Sequence, residues 1–549
     1  MKKMKIIQIT TFEKISKEME LDFKEFNSFS ALKNERFAYR IAISNDSDEK
    51  KTVKVQLKTE LDCVDVRYEE YIYVNRAGCS KETQNDEYAF ATGEVGYVSD
   101  ALFPIENGCV QINAHENAVL FVTAHMDTKP AVAGKYDITV ALDWEDGSAE
   151  KTFTLDVVDA CLPEKFFMYT NWFHCDSIAY AHNEKVFTER FWRLLESYML
   201  AASRVGMNMI LTPIITPPLD TAVGAERLTV QLVDVEKVGD KYYFEFSKLR
   251  RWVALAQKCG MKYFEMAHLF TQWGAKCTPK VVVKIDGKEE KLFGWHVEAT
   301  DPSYVDFIDQ FLPQLVEVIK DMGIEKNTFF HVSDEPQDKS LEQYLKCKAI
   351  ITKHLKGFRI MDALSHPEFV EQGVSDYPIP ITCDTHRFTK FNLEHRWTYY
   401  CCGPEMNAAN RFVAQYGWVT RSLGSQLFKF DIQGFLHWGF NFYFTCLSKH
   451  FVSPYEKNEY DNFPQGDGCI VYPHKDGAVD SLRGQLMYDA LQDQRALDLL
   501  AEKLGRDAVK KLLDDIAGME VDFNHYPHNG EFILNWRSTV NEKIRELYA

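Results

Sequence analysis

The sequence predicts an α/β protein, a (β/α)8 barrel preceded by an N-terminal antiparallel β-sandwich. Three observations carry this expectation. Up to about Leu162, apolar residues alternate in short runs separated by turn residues, the habit of antiparallel strands. After Pro163 short apolar runs alternate with longer stretches of helical spacing, and eight such runs can be counted. Polar and aromatic residues then collect just behind those runs, as they do at the carboxyl rim of a barrel. The expected domains are a sandwich over 1–162, a catalytic barrel over 163–493 and a helical extension over 494–549 packed on the barrel.

In the first part, strands are expected at Ala38–Ser44, Thr52–Leu57, Val64–Val74, Ala118–Ala124, Tyr136–Leu142 and Lys151–Val158. Asn45-Asp46, Asn75–Gly78, Asn107-Gly108 and Asp146-Gly147 supply the turns. Beyond Pro163 the first strand is Phe166–Thr170, followed by a helix over Val186–Val205 that Gly206 stops. Strand Met207–Leu211, helix Leu249–Cys259 and strand Tyr263–Met266 come next. Asp301-Pro302 opens a helix with a cap and an N1 proline; Gly323 ends it, and strand Thr328–Val332 follows. Helix Leu341–Leu355 leads to strand Phe358–Met361. The last strands are expected at Ile379–Cys383, Thr398–Cys402 and Gly434–Trp438, with a helix over Asn410–Leu423. A doubly wound sheet is the alternative, but no G-x-G-x-x-G follows the first strand, which argues against a dinucleotide site.

A formal charge of -18 disfavours nucleic acid and anionic membranes, since phosphate would be repelled. No run of 18 uncharged apolar residues exists, so no membrane span is expected. Met1–Glu20 lacks a secretory apolar region, which points to a cytoplasmic location. The 13 cysteines form no C-x-x-C pair, and Cys401-Cys402 are adjacent, so free thiols are expected.

Asp334 and Glu335 stand at the end of strand four, with Pro336 stopping the ladder. Neighbouring acids at an apolar strand end repel each other and lose water, which raises the pKa of at least one, as a general acid requires. The competing reading is a helix N-cap, because Ser-Asp-Glu-Pro is also good helix-start chemistry. The other rim positions favour a functional site. Trp172 and His174 follow strand one, His331 precedes the acid pair, and Asp384 follows strand six. His437, Trp438, Asn441 and Tyr443 lie at and after strand eight. Indole and phenol rings beside carboxylates and amides suit a carbohydrate, whose C–H faces stack and whose hydroxyls take polar partners. Those eight residues are the expected substrate contacts, with Trp172 and Trp438 lining the terminal-sugar subsite. No H-E-x-x-H or H-x-H pair is present, so neither a metal nor another cofactor is expected, and no G-x-S-x-G elbow marks a serine hydrolase.

The segments "FFHVSDEP", "NWFHCDSIAYA", "GFLHWGFNFY", "GDGCIVYP" and "SLRGQLMYDALQD" together resemble glycoside hydrolase family 123. The resemblance spans roughly Pro163–Leu500 and implies a β-sandwich followed by a (β/α)8 catalytic domain, with exo-acting β-N-acetylgalactosaminidase activity. It implies that Asp334 orients the substrate's acetamido group and that Glu335 is the general acid/base. It also implies a tyrosine near the acetamido carbonyl, for which Tyr399, Tyr400 and Tyr443 are candidates.

The spacing of the acids agrees with that mechanism. An enzyme nucleophile needs a second carboxylate about 5 Å away across the anomeric carbon, and an inverting enzyme one at about 6.5–9.5 Å. Sequence neighbours do not easily bracket a sugar, so the acetamido oxygen is the fitting nucleophile, through an oxazolinium. The expected function is removal of a terminal β-linked N-acetylhexosamine, foremost N-acetylgalactosamine, with retention. Two alternatives stand beside it. One is a glycosidase with its own nucleophile, such as Asp384 or Glu405. The other is a non-catalytic sugar-binding protein on the same barrel.

Overall fold

Residues 4–79, 94–375, 377–460 and 463–548 are described by the computed structural model. The first part consists of two five-stranded sheets. One runs in the order Lys5–Ile9, Arg36–Ser44, Asn117–His125, Val64–Val74, Gly96–Pro104, with every pair antiparallel. The other runs Ser28–Leu32, Gly147–Val158, Gly134–Trp144, Lys51–Lys58, Cys109–Ile112. Its edge strand Ser28–Leu32 pairs parallel to Thr154–Val158, a departure from the purely antiparallel expectation. Alternation along each strand sends Tyr39, Ile41, Ile43, Leu120 and Val122 of the first sheet against Val140, Leu142, Phe153 and Leu155 of the second.

The α/β part is built from parallel pairings only along its main strands. Met168–Asn171 and Trp397–Tyr399 flank Gly434–His437. Met209–Thr212, Tyr263–Met266, Thr328–Phe330 and Arg359–Ile360 form a second group in that order. Asp362–Ala363 pairs with Pro378–Ile379, and a parallel bridge joins Ile381 to Tyr399. The expected strand positions are therefore occupied, as a mixed α/β fold behind a β-rich N-terminal domain.

Helices Glu189–Arg204, Ser247–Lys258, Pro302–Asp321 and Leu341–Thr352 provide crossovers. The Thr188 side chain caps the first through the Phe191 amide, and Asp301 caps the third through the Ser303 amide. Gly260 (φ 97°) and Gly323 (φ 68°) turn the chain out of two helices in the left-handed region, at the positions expected of stop glycines.

Two further parts differ from expectation. Residues 410–416 are not helical; helices begin at Gly417–Arg421 and Leu423–Lys429. The cause is a polar pull inward: Asn410 donates to the carbonyls of Cys401 and Pro404, and Arg411 is buried among Asn171, His437 and Gly439. A four-stranded sheet of Lys241–Glu245, Asp234–Val238, Val281–Ile285 and Lys288–Phe293 is an addition that the sequence reading omitted. Its Asp286-Gly287 turn, both at positive φ, is a hairpin signal that could have revealed it. Helix Leu482–Leu504 spans position 493. The terminal helices also lean on the N-terminal sheets as well as on the α/β part: Leu497, Leu500, Trp536 and Val540 share one apolar cluster with Leu32, Phe121 and Val158 and with Trp418 and Phe428.

Candidate active site

Strand Thr328–Phe330 delivers the acid pair. Glu335 sits in the left-handed region at φ 43°, a conformation costly for a residue with a Cβ. Trp273, also left-handed at φ 54°, donates its amide to the Asp334 carbonyl (3.0 Å), tying the exit of one strand to that of its neighbour. The next helical turn starts at Asp338 and the next α-helix at Leu341, so neither acid caps a helix. The strained exit serves the side chains, not a helix end.

Both carboxyls are shifted upward. Burial pushes Asp334 well above the usual carboxylate range, and the charges of Glu335, Asp362 and Asp220 add to it while His331 opposes. Burial also raises Glu335; the Tyr399 hydroxyl pulls it back, and Cys402 pushes it further. Tyr399 donates to Glu335 Oε1 at 2.7 Å. Among the described residues no side chain or backbone amide donates to the Asp334 carboxylate.

Beneath the pair lies a buried relay. Trp172 Nε1 donates to Glu265 Oε2 (3.1 Å), which meets His331 Nε2 (3.1 Å); His331 Nδ1 faces Asp362 Oδ1 (3.4 Å), and Tyr344 donates to Asp362 Oδ2 (2.6 Å). Burial alone would lower the His331 pKa, but Asp362 and Glu265 together hold it up to about 9. The imidazolium so held neutralises part of the negative charge under Asp334. His268 stacks on His331 at 4.2 Å and is kept neutral by burial and by the charge of His331. His268, His331 and Asp362 are the one group among the described residues with metal-ligand spacing. A cation there would have to displace a proton of the His331 imidazolium.

The exits of strands one and eight are locked to each other. His174 donates its amide to Asn441 Oδ1 (2.8 Å) and Asn441 Nδ2 donates to the His174 carbonyl (3.0 Å). The His174 ring lies between the Trp438 carbonyl (3.0 Å) and Arg227 (3.1 Å), and burial lowers its pKa to about 3. His437 meets Arg411 (2.6 Å) and Asp467 (3.4 Å). Trp438 Nε1 donates to both oxygens of Asp467 (3.2 Å each). Tyr443 donates to the Val471 carbonyl (2.9 Å).

The structure thus gathers Trp172 and His331 under the acids, and His174, His437, Trp438, Asn441 and Tyr443 in an adjoining network. Most of these side chains are engaged by protein partners, with Trp438 the least enclosed of the rings. Asp384 is set in the turn Thr382–Phe388 and pairs with Arg387 (3.4 Å). Sequence reasoning left Tyr399 unranked and missed Glu265, Asp467 and Arg411. Glu265 carried a signal, a lone acid inside an apolar strand; Arg411 carried none, because its position read as helix. Asp220 stands further along the exit of strand Met209–Thr212. Its carboxyl, raised by burial to about 6, accepts from the Leu447 amide (2.9 Å) and adds to the charge felt by Asp334 and Asp467.

Comparison with known proteins bears on what this arrangement does. The family model "Glycoside hydrolase 123, catalytic domain" matches residues 172–500. The chain is similar to a family 123 glycoside hydrolase from Clostridium perfringens, whose structure was analysed for glycolipid glycan hydrolysis. The identity is 13% and the TM-score 0.72, over 99% of this chain and 98% of that one. β-Glucuronidase 2 of Bacteroides uniformis (10% identity, 80% of this chain and 47% of that one, TM-score 0.28) resembles it far less. The same holds for the β-glucuronidase of Parabacteroides merdae (9%, 83% and 50%, TM-score 0.31). No curated protein matches at the sequence level. Among the described residues no helix is long and apolar enough to cross a membrane.

Proposed function

Since the chain belongs to glycoside hydrolase family 123, we propose that it removes a terminal β-linked N-acetylhexosamine, foremost N-acetylgalactosamine, with retention of configuration and with the substrate's acetamido oxygen as nucleophile. That it is a glycoside hydrolase follows from the family; the sugar and the mechanism are our reading. The observation that carries it is the adjacent acid pair itself, with Glu335 turned out at φ 43° toward Tyr399 and Asp334 left without a protein donor among the described residues.

In this mechanism the acetamido N–H donates to Asp334 and supplies the hydrogen bond its carboxylate lacks. In the free site burial pushes both carboxyls upward. Binding the amide favours ionised Asp334 and leaves the shared proton on Glu335, where the leaving oxygen needs it. The amide oxygen then attacks the anomeric carbon, the glycosidic bond breaks, and Glu335 gives its proton to the departing alcohol. Asp334 stabilises the positive oxazolinium. Glu335, now a base, takes a proton from water, whose oxygen opens the ring from the same face as the departed group.

The same reading closes the three parallel strand groups into one (β/α)8 barrel, with the acids at its carboxyl rim. The proposed domains are a sandwich over 1–162, a barrel over 163–493 and a helical extension over 494–549. Trp438 and Trp172 wall the terminal-sugar subsite; His174, His331, His437, Asn441 and Tyr443 hold its shape, and Asp384 reaches the substrate's outer part. The relative's glycolipid glycans place glycolipid headgroups among the substrates to test. The carboxylates that a conventional double displacement would use are engaged elsewhere, Asp384 by Arg387 and Glu405 by the Cys79 amide. The deciding assay compares aryl glycosides that differ at C2 and C4. Cleavage confined to 2-acetamido sugars, and inhibition by a thiazoline analogue of the oxazolinium, is the expected result. Equal cleavage of 2-hydroxy sugars, or a trapped glycosyl ester on an enzyme carboxylate, overturns the mechanism.

A further inference from the structure

Three thiols converge on the wall of the site and have no part in the mechanism above. Cys401 and Cys402 follow strand Trp397–Tyr399, whose Tyr399 holds the general acid. Their sulfurs are 3.9 Å apart. Cys79 comes from the N-terminal domain, 323 positions earlier, and its Sγ lies 3.1 Å from the Cys402 carbonyl oxygen. Its amide is anchored to Glu405. All three cysteines are half-buried, so a small reagent can reach them.

Cys402 is the middle member. The Cys401 thiol 3.9 Å away, the neighbouring Cys79 thiol and the charge of Arg76 hold it far below the usual thiol range, while the thiols of its two neighbours are pushed up. The direction of these shifts favours the anion on Cys402, as in reactive cysteine sites.

We propose that Cys79 and Cys402 are a peroxide-reactive modification site that closes as a disulfide joining the N-terminal domain to the active-site wall. The Cys402 thiolate attacks a peroxide oxygen; the O–O bond breaks, hydroxide leaves and a sulfenic acid forms. The Cys79 thiol loses its proton and attacks that sulfur; the S–S bond forms, the S–O bond breaks, and the departing hydroxide takes the proton as water. Sulfur is oxidised and peroxide reduced. Cys79 is the partner rather than Cys401 because adjacent Cα atoms are held about 3.8 Å apart. A relaxed disulfide spans roughly 4.4–6.8 Å. Oxidation also removes the Cys402 anion, one of the charges that raise the Glu335 carboxyl. The Glu335 pKa then falls, and the alkaline limb of the rate profile moves to lower pH.

The test treats the full chain with hydrogen peroxide and reads mass and activity separately. The expected product is lighter by about 2 Da, carries a cross-link between tryptic peptides 77–81 and 397–411 that survives in Cys401→Ser, and reverts with dithiothreitol. Its kcat/KM profile has the lowered alkaline limb. Cys79→Ser keeps the untreated activity and shows neither cross-link nor reversible shift. A cross-link confined to Cys401 and Cys402, no cross-link, or the same reversible shift in Cys79→Ser overturns the proposal. The mass result stands whatever sugar the enzyme takes.

Discussion

Replacing Tyr399 by Phe removes one hydroxyl that donates to Glu335 Oε1 at 2.7 Å and leaves the ring in place. A hydrogen bond to a charged group contributes about 1.5–3 kcal/mol. One pKa unit corresponds to about 1.4 kcal/mol. The hydroxyl favours the ionised carboxylate, so its loss raises the Glu335 pKa; partial exposure of Glu335 puts the energetic expectation at the lower end of that range. Glu335 must be protonated to act as acid. The alkaline limb of kcat/KM for the free enzyme should therefore move to higher pH. The assay is a pH profile on a substrate with a poor leaving group, wild type against Tyr399→Phe. A limb that stays put, or moves to lower pH, refutes the assignment of Glu335 as the acid whose ionisation Tyr399 supports. A uniform loss of kcat with no shift of the limb would instead place Tyr399 on the acetamido carbonyl.

Other substitutions separate the two acids and their supports. Glu335→Gln should cost roughly 10²–10⁴-fold on poor leaving groups and less on activated aryl glycosides, whereas Asp334→Asn should impair both, because it acts on ring closure; equal leaving-group dependence would sink the division of roles. His331, with a folded pKa of about 9 against about 6.5 when unfolded, adds stability that is complete below about pH 6.5 and is lost as pH rises through about 9; Tm measured from pH 6 to 10 should fall over that window, and a flat curve would contradict the relay. Trp438→Ala should raise KM for the terminal sugar and also free Asp467, whereas an unchanged KM would remove Trp438 from the subsite.

Much of this architecture is legible from local pattern. The crossover helices with their caps and stops announce themselves in Thr188, Asp301-Pro302 and the glycines at 260 and 323, because those signals act within one turn of the chain. The acid pair is legible for a similar reason, since Pro336 and two adjacent carboxylates are incompatible with a continuing buried strand. What escapes local pattern is long-range. Residues 410–416 have helical spacing, yet Arg411 finds Asn171 across 240 positions and takes the backbone with it. Glu265 is unremarkable until His331, 66 residues on, arrives beside it. His174 and Asn441 look like rim ligands in sequence, and only the fold reveals that they grip each other's backbone.

The apolar cluster shared by the first sheets and the terminal helices sets limits on dissection. Arg537 joins Asp493 (3.0 Å) and Glu35, and Gln492 exchanges two hydrogen bonds with the backbone of Arg36. A fragment cut at 162 would leave Leu482, Leu486, Leu497 and Trp536 without the partners Phe12, Leu32, Phe121 and Val158. Such a fragment would carry a sticky face and tend to precipitate. The molecule is therefore a poor donor of an excisable catalytic module, because the first sheets and the last helices complete one apolar core.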